Sequence, residues 1–307
     1  MLDEARFAEL SQQHRHELQV HSYRMLGSLQ QAEDAVQEAL LRAWKGRASF
    51  DGGPGARAWL YRIVTTTCFD ILRAAQRQPV PVDSIADVPF LQPYPDSLLD
   101  AADAAIRRET VELAYLAVIQ LLPARQRAVL LLRDVEGYSA AEVGSLLDLT
   151  VPAVTSALQR ARATIAARVA ARDADWSPAS VTEADRALLH AFIEAHERQD
   201  PVAGLAVIRE DVRIAMPPNP ELYVGRDEVS RLMAHAYDRS VFGDWKLLPT
   251  AANRQPAAAS YLRRPGSEVY LPFKLDVLRI GDGLIAEITT FDASLFDRFG
   301  LPASLPG

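Results

Sequence analysis

Tyr138-Ser139-Ala140-Ala141-Glu142, then Val143 to Asp148, Leu149-Thr150-Val151-Pro152 and a helix bearing Arg160, Arg162 and Arg168 form the stretch that decides this chain. Ser139 and Glu142 stand at capping-box spacing: the hydroxyl caps a short helix and the carboxylate reaches back to the cap. Val143, Leu146 and Leu147 give that helix a buried face, and Asp148-Leu149 makes the turn, with Leu149 pointing inward. Thr150 caps a second helix, in whose first turn Pro152 is tolerated. Val154, Leu158, Ala161 and Ile165 recur at helical spacing and face a core. Thr150, Ala153, Thr155, Ser156, Gln159, Arg160 and Arg162 are left near or on the outer face, and from Thr150 to Arg172 there are four arginines and no acid. The pattern predicts a helix-turn-helix whose second helix enters a major groove, its first turns at base edges and its arginines on phosphates. An ordinary amphipathic helix pair with a solvated basic face is the alternative reading of this segment alone.

The rest of the chain is acidic. At 307 residues it exceeds one typical domain, and its formal net charge is −7. Residues 1–175 hold 19 Lys/Arg against 22 Asp/Glu, and residues 176–307 hold 14 against 18, so neither part is basic. Bulk attraction to nucleic acid is excluded, and binding must come from local patches. Cys68 is the only cysteine, which rules out an intramolecular disulfide and a Cys-rich zinc site; its apolar helical surroundings predict a buried thiol. No window approaches the ~20 apolar residues of a membrane span, and the start lacks an apolar signal core, so a cytoplasmic protein is expected.

Working outward, residues 5–77 read as helices. Val36, Leu40, Ala43 and Trp44 form one apolar stripe, Gly27 marks a break before it, and Asp51-Gly52-Gly53-Pro54-Gly55 is a loop. A further helix runs from about Ala56 to Gln76. Between 78 and 105 the character changes. Pro79, Pro81, Pro89, Pro93 and Pro95 forbid a continuous helix, and Asp83, Asp87, Asp96, Asp100 and Asp103 face no Lys or Arg between Arg77 and Arg107. By composition this is an extended, solvated acidic linker. Helices resume near Ala104, broken at Leu122-Pro123, and end before Trp176-Ser177-Pro178. From Thr182 the pattern predicts helices at 183–199 and 201–208, a strand at 211–216, a helix at 225–238, and strands at about 246–253, 257–263, 269–280 and 284–292. Gly281-Asp282-Gly283 supplies the last hairpin turn. Helices followed by a curled antiparallel sheet indicate an α+β domain.

Two separate stretches resemble one family. Ala32-Glu33-Asp34-Ala35-Val36-Gln37-Glu38-Ala39-Leu40-Leu41-Arg42-Ala43-Trp44, with Ala58-Trp59-Leu60-Tyr61-Arg62-Ile63 and Asp70-Ile71-Leu72-Arg73, resembles region 2 of bacterial extracytoplasmic-function (group IV, sigma-70 family) sigma factors. Leu121-Leu122-Pro123-Ala124-Arg125-Gln126-Arg127 through Arg162 resembles region 4. The resemblance implies an RNA polymerase subunit without a catalytic site, cofactor or metal of its own. Its implied partners are core RNA polymerase, through the β′ coiled coil and the β flap, and promoter DNA. Asp34, Gln37, Glu38 and Arg42 would meet the polymerase. Phe50, Arg57, Trp59, Arg62 and Thr66 would capture the −10 element, where an extruded base is held by stacking and phosphate contact. The outer face from Thr150 to Arg162 would read the −35 element, and the acidic linker would thread the polymerase channels as an RNA mimic. The family commonly has Asn where this chain has Thr66, and a basic residue where Ala157 stands, so an unusual or weak promoter preference is implied.

Residues 180–307 resemble, in layout, a SnoaL-like domain, the cone-shaped fold shared with nuclear transport factor 2 and ketosteroid isomerases. Some sigma factors of this kind carry such an extension, which is implied to contact the sigma domains and regulate them in cis. The expected architecture is therefore multidomain: an all-α region 2 bundle (1–77), a linker (78–105), an all-α region 4 helix-turn-helix (106–175) and an α+β cone (180–307). Tyr223, Trp245, Tyr261, Tyr270, Phe273 and Phe291 are candidate linings of a small-ligand pocket, with Tyr237 beside them; the alternative is that they fill the cone. Asp276, Glu287, Asp292, His190, His196 and His235 are the available acids and bases, but no two form a recognisable dyad. A ligand-sensing helix-turn-helix regulator, and an isomerase or hydrolase with a DNA-binding appendage, are the competing functions.

Overall fold

The computed structural model describes residues 3–50, 55–75, 88, 90–99, 110–171 and 182–307, without the side chains of 49 and 168–171. The loop 51–54, most of the acidic prolyl run with Asp83, Asp87, Asp100 and Asp103, Arg172 and the Arg168 side chain lie outside the described residues. The chain divides into two compact units: Met1–Val82 with Ala114–Ala174, and Asp83–Leu113 with Asp175–Gly307.

The first unit is all helical. α1 (Glu4–Leu26) starts at Asp3, whose carboxylate accepts the Arg6 N–H, and stops at Gly27, left-handed at φ 71°. α2 (Leu29–Gly46) is capped by Ser28 and buries Ala32, Ala35, Val36, Ala39, Leu40 and Ala43, mostly small residues that let the helices approach closely. α3 (Ala56–Ala74) closes the three-helix bundle and buries Leu60, Tyr61, Val64, Cys68 and Leu72. Burial pushes the Cys68 thiol up to about 12, as an unreactive core group.

α4 (Leu113–Gln120) and α5 (Ala124–Leu130) are separated at Pro123. α5 runs into a π-helical turn at Leu131–Val135 that the sequence reading did not foresee. α6 (Ala140–Leu147) and α7 (Val151–Ala171) follow. Arg127 is buried and donates to the carbonyls of Ile119, Gln120 and Leu122 and to that of Met25 at the C-terminal end of α1. One arginine thus satisfies backbone groups of the α4–α5 turn and of the first bundle. A second link centres on Glu136. Its carboxylate takes the Tyr61 hydroxyl at 2.6 Å, Arg57 at 2.9 Å and Arg24 at 3.4 Å, while Glu17 holds Arg57 from the other side at 2.8 Å. Burial pushes the Glu136 carboxyl above its ordinary range, against the pull of these cations.

The second unit holds α8 (Glu183–Arg198), α9 (Pro201–Ala206), α10 (Arg226–Ala236) and strands β1 (Ile208–Met216), β2 (Asn219–Val224), β3 (Asp244–Ala252), β4 (Gln255–Arg263), β5 (Val269–Gly281), β6 (Leu284–Asp292) and β7 (Leu305–Pro306). The strand order is β2-β1-β6-β5-β4-β3, with β7 paired to β5. β1 and β6 run parallel and the other pairs antiparallel. Register shifts in β1, β4 and β5 curl the sheet. The helices close the concave side over a core of Phe192, Ile214, Val229, Met233, Trp245 and Ile288. This is the cone expected of a SnoaL-like layout. β2 and β7 were missed in the sequence because one holds Pro220 and the other is two residues long.

The solvated-linker expectation is corrected for the described part of that segment. Val88, Leu91, Tyr94 and Leu99 are buried in the second unit. The segment is apolar at every second or third position, and composition dominated by Pro and Asp hid that. Thr110–Leu113, expected in the region 4 module, also belong to the second unit. Both pieces converge on Asn253, described next.

Candidate nucleic-acid interface

The helix-turn-helix is built from its caps. Ser139 and Glu142 make both halves of the capping box, at 3.2 and 2.7 Å. Asp148 ends α6 in the left-handed region at φ 55°. Gly144 is needed because a Cβ there would lie 2.7 Å from the Leu149 carbonyl oxygen. The Thr150 hydroxyl accepts the Ala153 N–H at 3.3 Å and starts α7. Val154, Leu158 and Ala161 are buried and Ile165 is half-buried. Thr150, Thr155, Ser156, Gln159, Arg160 and Arg162 are exposed and Ala153 is half-buried, so they share one outer face. Ala157 is buried, so the helix has no outward position there. Arg162 is held by both oxygens of Asp134, at 2.9 and 2.6 Å, and its charge is compensated within the protein. Arg160 stands exposed with no ion pair among the described residues.

On α2, Asp34, Gln37, Glu38 and Arg42 are exposed, opposite the buried stripe. Arg42 donates to Glu38 at 2.8 Å and to Asp70 of α3 at 2.7 Å, which fixes the face as an ordered array of alternating charge. Leu41, half exposed, sits among them, and a shallow groove lined by Phe7, Arg15, Gln37, Leu41 and Trp44 runs beside it.

The residues expected at the −10 element divide. Arg62 and Thr66 are exposed one turn apart on α3, where the Thr66 hydroxyl donates to the Arg62 carbonyl at 2.8 Å. Trp59 is half-buried, with Phe50 stacked on it at 4.9 Å; Phe50 itself is buried with Leu10. Arg57 points the other way, into the Glu17–Glu136 link. Phe50 and Arg57 are therefore not on the surface that carries Arg62 and Thr66. Sequence reasoning did not pair Arg57 with Glu136, because 79 residues separate them.

In the second unit, the β3–β4 hairpin turns on Asn253 and Arg254, both left-handed at φ 57° and 60°. Asn253 is fully buried. Its Oδ1 accepts the Tyr94 N–H at 2.8 Å, its backbone N–H donates to the Tyr94 carbonyl at 2.9 Å, and its Nδ2 donates to the Val111 carbonyl at 2.7 Å. The Arg254 N–H donates to Asp96 at 2.7 Å, and Pro95 bridges Ala252. One asparagine thus clasps both ends of the linker.

The cone encloses a cavity of about 360 Å³. Trp245, Phe273 and Phe291 line it, with Phe192, His196 and Asp276. The other three candidates do not. The Tyr223 hydroxyl donates to Glu221 near the surface, Tyr261 is buried and donates to the Pro302 carbonyl, and Tyr270 lies under Arg263. Strand alternation alone could not place them, because the bulges in β4 and β5 shift the facing side. Of the acids and bases, Asp276 binds Thr290 and Lys274, Glu287 pairs with Arg279, and Asp292 caps Ser294. His190 and His235 are exposed, and His196 is buried.

Among the described residues, no helix is long and apolar enough to cross a membrane. Residues 10–78 match the family Sigma-70 region 2, and residues 112–165 match Sigma-70, region 4. The chain is 39% identical to the ECF RNA polymerase sigma factor SigG of Mycobacterium tuberculosis, over 97% of this chain and 85% of that one. It is 34% identical to SigM of the same organism, over 50% of this chain and 72% of SigM. The fold matches the crystal structure of the Mycobacterium tuberculosis extracytoplasmic function sigma factor SigJ with a TM-score of 0.64 at 21% identity, covering 98% of this chain and all of that one. With both sigma regions in order, and a relative of this identity matched along nearly its whole length, the chain belongs to the extracytoplasmic-function family of RNA polymerase sigma factors.

Proposed function

We propose that this sigma factor reads a two-part promoter with named surfaces and is restrained in cis by its own C-terminal unit. The exposed face of α2, with Asp34, Gln37, Glu38, Arg42 and Leu41, docks on the polymerase β′ coiled coil, while the region 4 helices meet the β flap. The outer face of α7 takes the −35 element: Thr155, Ser156 and Gln159 at base edges and Arg160 on phosphate. Arg62 and Thr66 take the −10 element, with Trp59 at their edge. The observation that carries this reading is the outer face of α7, which is capped, exposed and free of acids over the described turns. The protein works in the cytoplasm, where its promoter is.

The C-terminal unit acts by holding the linker. A segment pinned at Tyr94, Asp96 and Val111 is not available to thread a polymerase channel. The unit regulates without catalysis: both carboxylates that line its cavity are engaged, Asp276 by Lys274 and Thr290, and Asp292 as a cap. Run-off transcription with core polymerase tests the whole reading. The full chain and the chain ending at residue 180 should both form holoenzyme and initiate at the same start site, with different output. Identical output removes the regulatory role, and failure to assemble in low salt removes the docking role.

A further inference from the structure

The cavity of the second unit has a chemistry that selects its occupant. Its wall is largely apolar and ring-bearing: Phe192, Trp245 and Phe273 face it with Ile214 and Val229. Its size falls within the range of small-molecule sites, about 300–1,000 Å³. Polar groups gather at one side. Asp276 is fully buried and accepts the Thr290 hydroxyl at 2.7 Å, with the Lys274 ammonium 2.7 Å from its other oxygen. Lys274 also stands 5.6 Å over the Trp245 ring. His196 packs on Phe192 at 4.3 Å and edge-on to Tyr237 at 5.3 Å.

Charge at this end sums to zero. Lys274 and Asp276 compensate each other, and burial, helped by Lys274, lowers the His196 pKa to about 3, so its ring is neutral. A carboxylate ligand would meet the buried Asp276 and a cationic one would meet Lys274, each with no counter-charge left over. His196 has a further property. Its Nδ1 is walled off beside the Phe192 carbonyl one turn earlier, which favours the proton on that nitrogen and leaves Nε2 to present a lone pair to the cavity. A lone pair beside an ammonium matches a group that both donates and accepts, which is a hydroxyl.

We propose that this cavity is a receptor site for an uncharged, ring-bearing small molecule with one hydroxyl, which donates to His196 Nε2 and accepts from Lys274. The inference rests on the second unit acting in cis on transcription: such a molecule is the signal that alters the hold on the linker.

Calorimetric titration of the full chain with three probes of one shape tests the site: 4-phenylphenol, its methyl ether, and biphenyl-4-carboxylate. The phenol should bind about tenfold tighter than the ether, which cannot donate, and tighter again than the anion. His196→Phe should erase the preference for phenol over ether while its melting curve shows a folded chain. Equal binding of phenol and ether by the unsubstituted protein, tighter binding of the carboxylate, or no binding of the phenol overturns the proposal, whatever the variant does. Run-off transcription with saturating phenol separates the two ideas. A bound phenol that leaves output unchanged removes regulation through the cavity and leaves the site, whereas a phenol that does not bind removes the site and leaves the linker clasp untouched.

Discussion

Replacing Asn253 with Ala should open the linker clasp without unfolding the cone. The side chain supplies an acceptor to the Tyr94 N–H and a donor to the Val111 carbonyl, at 2.8 and 2.7 Å, in a fully buried setting. Each buried backbone group that loses its partner costs about 1–3 kcal/mol, so the two together cost about 2–6 kcal/mol. Alanine is also a poorer occupant than asparagine of the left-handed backbone at φ 57°, which adds to the loss. At about 1.4 kcal/mol per tenfold, even the lower bound raises the opening equilibrium of the linker by roughly 30-fold. The β4–β5–β6 ladder makes no use of the Asn253 side chain, so the effect should be local. Hydrogen exchange with mass spectrometry on the full chain should show faster exchange in peptides covering 90–99 and 250–256, with β5 and β6 unchanged. Transcription by N253A should move in the same direction as that of the chain ending at residue 180. Unchanged exchange at 90–99 would refute the clasp, and changed exchange with wild-type transcription would refute its role.

Other outcomes follow from the same geometry. Arg160→Glu should abolish −35-dependent transcription while holoenzyme still assembles, and Arg160→Ala should flatten the salt dependence of promoter binding by about one unit, measured by titration at several salt concentrations. Leu41→Asp should weaken core polymerase binding about tenfold or more at an unchanged melting temperature, because Leu41 is exposed and contributes little to the bundle. His21 is fully buried beside Thr65, and burial, reinforced by Arg24 and Arg57, lowers its pKa to about 3. Between pH 6.5 and 3 the unfolded chain binds a proton that the folded one does not. The stability His21 confers is therefore complete above pH 6.5 and drains as pH falls, by up to about 1.4 kcal/mol per pH unit. His21→Gln should flatten that part of the curve in denaturant titrations at pH 4–7. Gly144→Val should unfold the helix-turn-helix, seen as lost DNA binding and lower helicity, since its Cβ would collide with the Leu149 carbonyl.

How much of this was legible in the chain differs by element. The helix-turn-helix was readable because its determinants are local: Ser139 with Glu142, Thr150, and an apolar recurrence at helical spacing all lie within one or two turns of each other. The exposed set on α2 was readable for the same reason, as the complement of one stripe. The strands and the 281–283 turn followed from composition, but the side each residue faces did not. A single bulge reverses the alternation, which is how Tyr261 and Tyr270 came to be expected in a cavity they do not line.

The sequence by itself determined the family, the order of the modules and the polar faces of α2 and α7, because each depends on residues near one another along the chain. Only the tertiary structure decided what those residues do to each other at long range. It turned Arg57 away from Arg62 and into Glu136, neutralised Arg162 on Asp134, and put the linker under Asn253. Pairings of this kind rest on hydrogen-bonding and charged groups that find their partners only once apolar burial has brought remote segments together. No period or spacing along the chain records which partner that will be.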